Sequence, residues 1–302
     1  MIKTNNVHIP VLQKEVIKYL SPKPNENFID ATFGGGGHAW EILKMNIPNG
    51  KVLGIEIDPV LYLKAKEKIE GMMERFILVN DSYINLRKIT ERYNFRPVNG
   101  IVFDLGMSSW HLERSGRGFS FLRDEPLDMR YDIVRNPRRA EEIVNRWPEK
   151  EIEKILKNYG EEIFAKRIAR QIVKQRQKAP LKTTFELVEV IRRAVPPWYR
   201  WRKIHFATKT FQALRIAVNN ELDILERALA EAMQILEEGG RLVIISFHSL
   251  EDRVVKNFLR KNKNQGYLEI ITKKPVSPSL EEIKQNFRSR SAKLRAGVKI
   301  KK

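Results

Sequence analysis

Short apolar runs recur in the first third of the chain and again near its end, and each has the length of a strand. They occupy residues 27–31, 51–57, 75–79, 100–105 and 240–246. Near-continuous apolar runs are typical of strands buried on both faces of a parallel sheet. Helix-length segments lie between the early runs, and in 59–71 the residues Leu61, Ala65 and Ile69 share one face. This alternation predicts an α/β fold with a parallel sheet.

The middle of the chain, residues 109–205, shows a helical pattern without a convincing strand. Pro148 and Gly160 bracket one helix, and the segment from Thr183 to Glu186 has the form of a capping box that opens another. We therefore predict a discontinuous α/β domain, residues 1–108 and 206–302, interrupted by an inserted helical domain, residues 109–205.

The α/β pattern resumes after this insertion with a long amphipathic stripe. Apolar residues recur every three or four positions from Phe211 to Leu236, which predicts one helix with a core-facing stripe that ends at Gly239 and Gly240. Two further strands are predicted at 268–272 and 294–300.

Basic residues are in large excess and are unevenly distributed. The chain has 56 Lys and Arg against 37 Asp and Glu, a net charge of +19. The net charge, counted as Lys and Arg minus Asp and Glu, is +2 over 1–108, +9 over 109–205, −4 over 206–252 and +12 over 253–302. The insertion and the C-terminal tail thus carry the excess. Neutralising phosphates releases counterions, so this distribution favours a nucleic acid as partner over an anionic membrane surface.

Several classes of protein are excluded or disfavoured by what the sequence lacks. There is no cysteine, which removes disulfides, thiolate metal sites and cysteine nucleophiles. No apolar run approaches the roughly 20 residues that span a bilayer, and the N-terminal sequence has no export signal. We therefore expect a cytoplasmic protein without a membrane partner. No cluster has a recognisable metal-ligand spacing, and no metal is predicted.

The strongest local signal is a strand that runs into four glycines, Gly34 to Gly37, and then into a helix. Such a loop lets a ligand approach the backbone closely at a helix N-terminus. Glu56 follows the next strand, where a carboxylate can bind ribose hydroxyls. The glycines also fit a loose dinucleotide pattern, so a nicotinamide-dependent dehydrogenase is the main alternative. Asp30, just before the loop, favours S-adenosylmethionine, because it would attract that ligand's cationic amino-acid portion and repel a pyrophosphate.

A third acid, Asp104, ends the fourth predicted strand and is followed by Ser108 and Ser109. Open α/β sheets bind ligands at the carboxyl ends of their strands. Asp30, Glu56 and Asp104 are therefore expected to line one site.

Nine blocks of sequence, spread from residue 8 to 295, together resemble the bacterial ribosomal RNA small-subunit methyltransferase H family, also called MraW. The blocks are HIPVLQKEV at 8–16, DATFGGGGH at 30–38, DLGMSS at 104–109, RGFSF at 117–121, PLDMR at 126–130, TKTFQALRI at 208–216, NNEL at 219–222, SFHSLEDR at 246–253 and RSRSAKLR at 288–295. The resemblance implies a class I, Rossmann-like methyltransferase that uses S-adenosyl-L-methionine. Its substrate would be the N4 amine of one cytidine in the decoding centre, at the P site, of 16S ribosomal RNA.

The resemblance also implies site residues. The family's cofactor contacts correspond to Gly36, Gly37, His38, Glu56, Tyr83, Asp104 and His111. Asp30 and Gly34, from the glycine-loop motif, complete the predicted cofactor site. Two of these depart from the family pattern: Glu56 stands where Asp is usual, and His111 where Gln is common. The RNA would be bound by Arg117, Arg130, Lys209, Arg288, Arg290, Lys293 and Arg295.

The chemistry of the target amine suggests catalytic roles. The amine of cytosine is a weak nucleophile because its lone pair is delocalised into the ring, so positioning it is a large part of the task. We predict that Asp104 anchors the cofactor and frames the site, and that Ser108 or Ser109 orients the amine. His8 and His248 are further polar candidates. Methylation at C5 of cytosine needs a thiolate, which this chain lacks, so nitrogen or oxygen methylation remains.

The sequence also fits two other functions. A DNA amino-methyltransferase would use the same chemistry, and a ribosome-assembly RNA-binding protein could carry a vestigial cofactor pocket. An enzyme acting on RNA would need its target base unpaired or extruded from the stack. The sequence leaves open whether the substrate is free RNA or the small ribosomal subunit. It also leaves open the oligomeric state, a homodimer being one option.

Overall fold

The computed structural model describes residues 10–69 and 74–301, and it divides the chain into two compact units. The sheet unit comprises the described residues up to Gly106 and from Leu222 onwards, and the helical unit comprises Met107–Glu221. The second boundary thus lies 16 residues beyond the position, 205, at which the sequence pattern suggested the insertion to end. The reason is that the helix at 208–219 packs with the helices of the insertion.

The sheet unit is built on one sheet, which has seven strands in the described part of the chain, in the order β3-β2-β1-β4-β5-β7-β6. The strands are β1 (Phe28–Asp30), β2 (Val52–Ile55), β3 (Phe76–Val79), β4 (Val98–Asp104), β5 (Leu236–Ser246), β6 (Leu268–Ile270) and β7 (Lys293–Lys299). Strands β1 to β5 pair in parallel, whereas β7 is antiparallel to both β5 and β6. The prediction of a parallel α/β sheet is confirmed.

Helices cover both faces of this sheet, which explains why its strands are apolar throughout. The helices of the sheet unit are α1 (Gln13–Leu20), α2 (Gly37–Met45), α3 (Pro59–Ile69) and α4 (Leu86–Arg92), then α12 (Glu221–Ile235), α13 (Ser249–Asn264) and α14 (Leu280–Gln285). Helices α1 to α3 bury their apolar residues with Phe28 and Val102 on one face. Helices α4, α12 and α13 do so with Ile29 and Phe103 on the other. Alternate residues of each strand thus enter opposite cores.

The helical unit, whose residues are all described, contains no strand and only an isolated bridge between Pro126 and Thr183. Its helices are α5 (Ser109–Glu113), α6 (Ala140–Arg146), α7 (Glu149–Gly160), α8 (Ala165–Arg176), α9 (Thr184–Ala194), α10 (Pro197–Arg200) and α11 (Thr208–Asn219). The predicted capping box is present at the start of α9, where Thr183 and Glu186 bond reciprocally. Among all the helices described, none combines the length and hydropathy needed to cross a bilayer.

The long helix predicted from Phe211 to Leu236 is instead two helices followed by a strand. Asn220 adopts a left-handed conformation with φ 50° between α11 and α12, which asparagine tolerates better than most residues. The apolar spacing continues across this break, so periodicity alone did not locate it. Gly239, with φ +76°, lies within β5, where the ladder with β4 shifts register, and does not cap a helix.

A buried ion pair ties the end of α11 to the residue that follows the break. Arg215 donates to both carboxylate oxygens of Glu221, each at 2.8 Å, and both side chains are buried. The two-point geometry offsets part of the desolvation of the charges.

Removing this carboxylate should strongly destabilise the helical unit. We expect Glu221→Ala to lower the free energy of unfolding by about 3–5 kcal/mol, because the buried Arg215 charge loses the group that balances it. Urea unfolding followed by circular dichroism measures this change. Glu189→Ala is the matched control, since its ion pairs with Arg192 and Arg193 are solvent-exposed and should contribute less than about 1 kcal/mol. Equal losses for both variants would contradict the prediction.

Candidate functional site

Three carboxylates lie at the carboxyl edge of neighbouring strands in the sheet unit. Asp30 ends β1, Glu56 follows β2 and Asp104 ends β4. The parallel register pairs Asp30 with Gly54 on one side and with Val102 on the other, so Glu56 and Asp104 each extend two residues beyond it. The strand order reverses at β1, which makes this edge the topological switch point where open α/β sheets bind ligands.

The glycine loop joins β1 to α2, and its last two glycines, Gly36 and Gly37, leave no room for a side chain. Gly36 adopts φ +77°, and a Cβ there would lie 2.5 Å from the ring of Phe33. A Cβ on Gly37, the first residue of α2, would lie 2.0 Å from Cγ of Pro10. A side chain at either position would have to displace Phe33 or Pro10. The N-terminus of α2 follows β1 at the carboxyl edge of the sheet, and the amide groups of a helix N-terminus favour electronegative ligand atoms. The role of Pro10 in holding this loop was not inferred from the sequence.

Asp30 is buried and only partly satisfied. Its Oδ1 accepts a hydrogen bond from the amide of Thr32 at 3.2 Å, while its Oδ2 has no hydrogen-bond partner. Burial raises the pKa of Asp30 to about 6, and the nearby His38 opposes this shift because it favours the ionised carboxylate. A buried acceptor without a donor is costly, so this carboxylate fits a ligand that brings a cationic or N–H donor.

His38 and Asp104 form the second polar group of the site. His38 Nε2 lies 3.5 Å from Asp104 Oδ2, which is within ion-pair range, yet both ring nitrogens and Asp104 Oδ1 lack an aligned hydrogen-bond partner. Burial lowers the pKa of His38, but Asp104 and Asp30 outweigh it, and the net shift is upward. The backbone amide of Asp104 donates to Thr32 Oγ1 at 2.6 Å, so Thr32 links the ends of β1 and β4, a role the sequence pattern did not reveal.

Glu56 supports the glycine loop as well as facing the site. Its Oε2 accepts from the amide of Gly34 and its Oε1 from the amide of Asp58, both at 2.8 Å. Burial raises the pKa of Glu56 to about 7, opposed by these two amides. Each oxygen retains a second lone pair, so acceptor capacity for ligand hydroxyls remains.

Tyr83 begins a short 3-10 turn, Tyr83–Asn85, after β3. Its half-buried ring meets Phe103 edge-on with the centroids 5.6 Å apart. The aromatic face predicted to contact an adenine is therefore fixed by the same strand that ends in Asp104.

The predicted residues that follow β4 belong to the helical unit. Ser108 precedes α5, and its hydroxyl lies 3.0 Å from Nδ1 of His111. The buried His111 ring also contacts Phe119 and Tyr131 with centroids 5.0 and 5.1 Å away. Ser109 is the half-buried first residue of α5. His111 thus has a packing role in this unit, and its contact with a cofactor stays a prediction.

Two of the arginines predicted to bind RNA are buried within the helical unit. Arg117 donates to the carbonyls of Arg130 and Tyr131, both at 3.2 Å, and stacks against Trp110. Arg130 binds both carboxylate oxygens of Asp128 at 2.8 Å. These contacts occupy their guanidinium groups. Lys209 is half-buried, and its ammonium donates to the carbonyl of Glu161 at 2.7 Å.

The predicted basic tail belongs only in part to the sheet: Lys293 and Arg295 lie in β7, near the strand predicted at 294–300, whereas Arg288 and Arg290 lie in the 3-10 turn Phe287–Ser291 before it. Lys293 pairs with Ser246 at the carboxyl end of β5, so the segment before it emerges at the edge that carries the acids. Arg295 binds Asp252 through two contacts of 2.7 and 3.1 Å, and Lys293 lies 3.6 Å from the same carboxylate. Arg288 and Arg290 are exposed.

The structure describes one of the two histidines that were predicted as further polar candidates. His248 caps α13, accepting from the amide of Glu251 at 3.3 Å, and its Nε2 lies 3.2 Å from Oε1 of Glu251. These contacts give it a structural role at the helix start. His8 lies outside the described residues.

Comparison with known proteins gives one consistent family. The model of the MraW methylase family matches residues 5–300. The Sulfurihydrogenibium sp. (strain YO3AOP1) protein named "Ribosomal RNA small subunit methyltransferase H" is 47% identical over 293 residues, covering 97% of this chain and 99% of the relative. The protein of the same name from Thermosipho melanesiensis is 48% identical over 301 residues, covering 99% and 100%, and that from Persephonella marina is 45% identical over 293 residues, covering 97% and 99%.

The buried acids should make the unliganded protein less stable as pH rises. Asp30 has a folded-state pKa of about 6 against an ordinary value of 3.8, so the folded state holds its proton more tightly than the unfolded chain. The contribution of Asp30 to stability is therefore present below pH 3.8 and is lost progressively as pH rises to about 6. Asp30→Asn should gain stability relative to the unsubstituted protein across this interval, by about 1–3 kcal/mol.

Urea unfolding at pH 4 and pH 7.5, without ligand, measures this difference. Glu91→Gln changes an exposed acid of the same unit and should show no such gain. If Asp30→Asn raised the free energy of unfolding equally at both pH values, the raised pKa of Asp30 would not be the cause of the pH dependence.

Proposed function

This chain belongs to the MraW methylase family, and from this premise we propose that it methylates the N4 amine of one cytidine in the decoding centre, at the P site, of 16S ribosomal RNA. Its sheet is that of a class I, Rossmann-like methyltransferase, and S-adenosylmethionine is its cofactor. The observation that carries the proposal is the set of three carboxylates around the glycine loop at the switch point, of which Asp30 and Asp104 each have one oxygen without a hydrogen-bond donor. The names of the relatives support small-subunit ribosomal RNA as the substrate.

The polar groups of the site fit this cofactor. Asp30 Oδ2 and Asp104 Oδ1 lack donors, and the cationic amino-acid portion of the cofactor supplies donors. Glu56 would bind the ribose hydroxyls, Tyr83 would contact the adenine, and Gly34, Gly36 and Gly37 would admit the ligand close to the backbone. When bound, the cofactor supplies a methyl group activated on a sulfonium. His38 would hold the Asp104 carboxylate in place from 3.5 Å.

The residues after β4 would orient the target amine. Ser108 and Ser109 follow Asp104 by four and five positions in the chain. The hydroxyl of Ser108 lies against His111, so we assign the orienting role to Ser109 first and to Ser108 second. Asp104 would frame the amine with its backbone fixed by Thr32. Positioning of this kind can lower the activation free energy by several kcal/mol, on the order of 7–11 kcal/mol in the best cases.

The absence of cysteine supports nitrogen as the methylated atom. Methylation at C5 of cytosine requires a thiolate that adds to C6, and the chain has no thiol. The exocyclic amine needs no covalent activation by the enzyme. The cytosine must be unpaired or extruded from the base stack before its amine can reach the cofactor.

RNA binding is assigned to the helical unit and to the tail. Arg288 and Arg290 are exposed beside β7, and they are the tail residues best placed to contact phosphates. Arg295, Arg117 and Arg130 would act indirectly, because their guanidinium groups already bind protein atoms. The assembled small subunit, in the cytoplasm, is the substrate that we propose.

Mass spectrometry of nucleosides tests the proposal. Small subunits purified from cells lacking this methylation are incubated with the protein and S-adenosylmethionine, and the 16S RNA is then digested. N4-methylcytidine at a single position is the expected product. Duplex DNA serves as the competing substrate. Methylated DNA with unmodified RNA, or no methylation of either together with no cofactor binding in calorimetry, would overturn the proposal.

Neutralising Asp104 should impair both cofactor binding and turnover. We expect Asp104→Asn to lower kcat/KM by about 100-fold or more, the magnitude seen when one preorganised polar group of an active site is removed, and to weaken cofactor affinity about tenfold. Single-turnover methylation and isothermal calorimetry measure these effects. Glu67→Gln, an exposed acid on α3, is the control. Full activity and full affinity of Asp104→Asn would contradict the assignment.

Reversing the exposed charges of the tail should affect RNA binding alone. We expect Arg288→Glu with Arg290→Glu to weaken binding to 16S RNA and to reduce the slope of affinity against salt by about 2, because two phosphate contacts are lost. Cofactor affinity should stay unchanged. Lys23→Glu with Lys51→Glu reverses two exposed charges near the opposite ends of the strands and is the matched control. An equal loss in both double variants would indicate a general effect of net charge.

A further inference from the structure

The helical unit exposes two tryptophans that are three residues apart in the chain. Trp198 lies within α10 and is 60% exposed, and Trp201, which follows that helix, is 88% exposed. Tryptophan is the largest apolar side chain and is highly buried on average in folded proteins. Exposed aromatic groups of this size, close together, mark an interaction surface more often than isolated exposed residues do.

The backbone that presents these rings is anchored. Tyr199, between them in sequence, is buried, and its hydroxyl lies 3.0 and 2.8 Å from the two carboxylate oxygens of Glu162. Its ring meets Phe164 edge-on at 4.9 Å, and Trp198 packs edge-on against Tyr199 at 5.7 Å. The backbone next to Trp201 is thus anchored through Tyr199, so a partner that binds Trp201 has to order its side chain and not this whole segment.

The surroundings of Trp201 are basic. No acidic residue occurs between Glu189 and Glu221, while Arg202 and Lys203, next to Trp201, are both exposed. The guanidinium of Arg202 lies 5.2 Å from the ring of Tyr199. Trp201, Arg202 and Lys203 are called the tryptophan patch below.

We propose that the tryptophan patch binds an unpaired nucleotide of the RNA, with Trp201 stacking on the base and Arg202 and Lys203 contacting adjacent phosphates. Aromatic stacking beside cations is the way in which proteins hold single-stranded nucleic acids without reading their sequence. The inference rests on the proposed function, since it presupposes an RNA substrate, and it adds a contact outside the cofactor site.

Charge favours RNA over the other occupants of such a surface. A second copy of this chain would bring the same cations against each other, in a protein whose net charge is already +19. Helix α10 has only four residues and so lacks the length of a membrane-binding amphipathic helix. An unpaired RNA segment offers both kinds of contact, since its bases can stack on Trp201 and its phosphates can pair with Arg202 and Lys203.

Binding of a fluorescein-labelled single-stranded oligoribonucleotide of about 12 nucleotides tests the inference, with a duplex of the same sequence as comparison. We expect Trp201→Ala to weaken single-strand binding about tenfold, the size of one lost stacking contact, and to leave duplex binding within about twofold. Trp201→Phe, which keeps an aromatic face, should recover most of the affinity. Phe185→Ala removes a 49% exposed aromatic residue of the same unit that lies beside Asp124, and it should bind like the unsubstituted protein.

Three results would overturn the inference: unchanged single-strand affinity of Trp201→Ala, an equal loss for Phe185→Ala, or a change confined to sedimentation, which would indicate that the patch joins two copies. Methylation of small subunits and cofactor calorimetry, run on the same variants, separate this inference from the proposed function. Intact methylation by the unsubstituted protein, with equal single-strand affinity for the unsubstituted protein and Trp201→Ala, would overturn the inference alone. Stacking-dependent binding without methylation by the unsubstituted protein would overturn the proposed function alone.

Discussion

Burial of carboxylates at one edge of the sheet is the constraint on which the candidate site depends. The pKa values of Asp30 and Glu56 are raised to about 6 and about 7 because water is excluded there, and parts of Asp30 and Asp104 have no hydrogen-bond donor. Such an arrangement costs folding free energy. The apolar cores on both faces of the sheet hold the acids in place, and a ligand that brings donors would recover what their burial costs.

The site and the sheet share the same residues, so their stabilities are linked. Thr32 joins β1 to β4 through the amide of Asp104, and Glu56 joins the glycine loop to β2 through the amide of Gly34. Each contact fixes a group that is predicted to bind the cofactor and also links two segments at the edge of the sheet. A substitution at either residue should therefore change cofactor affinity and local order together, and measurements on the unliganded protein are needed to separate the two effects.

The strands, the sheet type and the three acids could be predicted because each is a local pattern with one physical meaning. Near-continuous apolar runs require burial on both faces, and acids at strand ends meet at one edge. The break at Asn220 could not be predicted, because the apolar spacing runs through it. Arg117 and Arg130 count toward the positive charge in the sequence, yet both are buried with protein partners, and no pattern distinguishes such residues from exposed ones. The patch at Trp201 was missed because exposure depends on tertiary packing.

The antiparallel pairing of β7 with β5 also fixes how far the start of β7 lies from the end of β4. Asp104 pairs with Ile245, and Ile245 pairs with Leu294, so two strand spacings, about 10 Å, separate the end of β4 from the start of β7. A hydrogen-bonded sheet does not stretch, in contrast to a flexible arm. Under the proposed function, the distance between a phosphate bound just before β7 and an amine held at Asp104 would therefore be set by the covalent and hydrogen-bonded frame of the protein. An RNA in which the target base and its neighbouring phosphate did not match that distance could not then occupy both positions, whatever its charge.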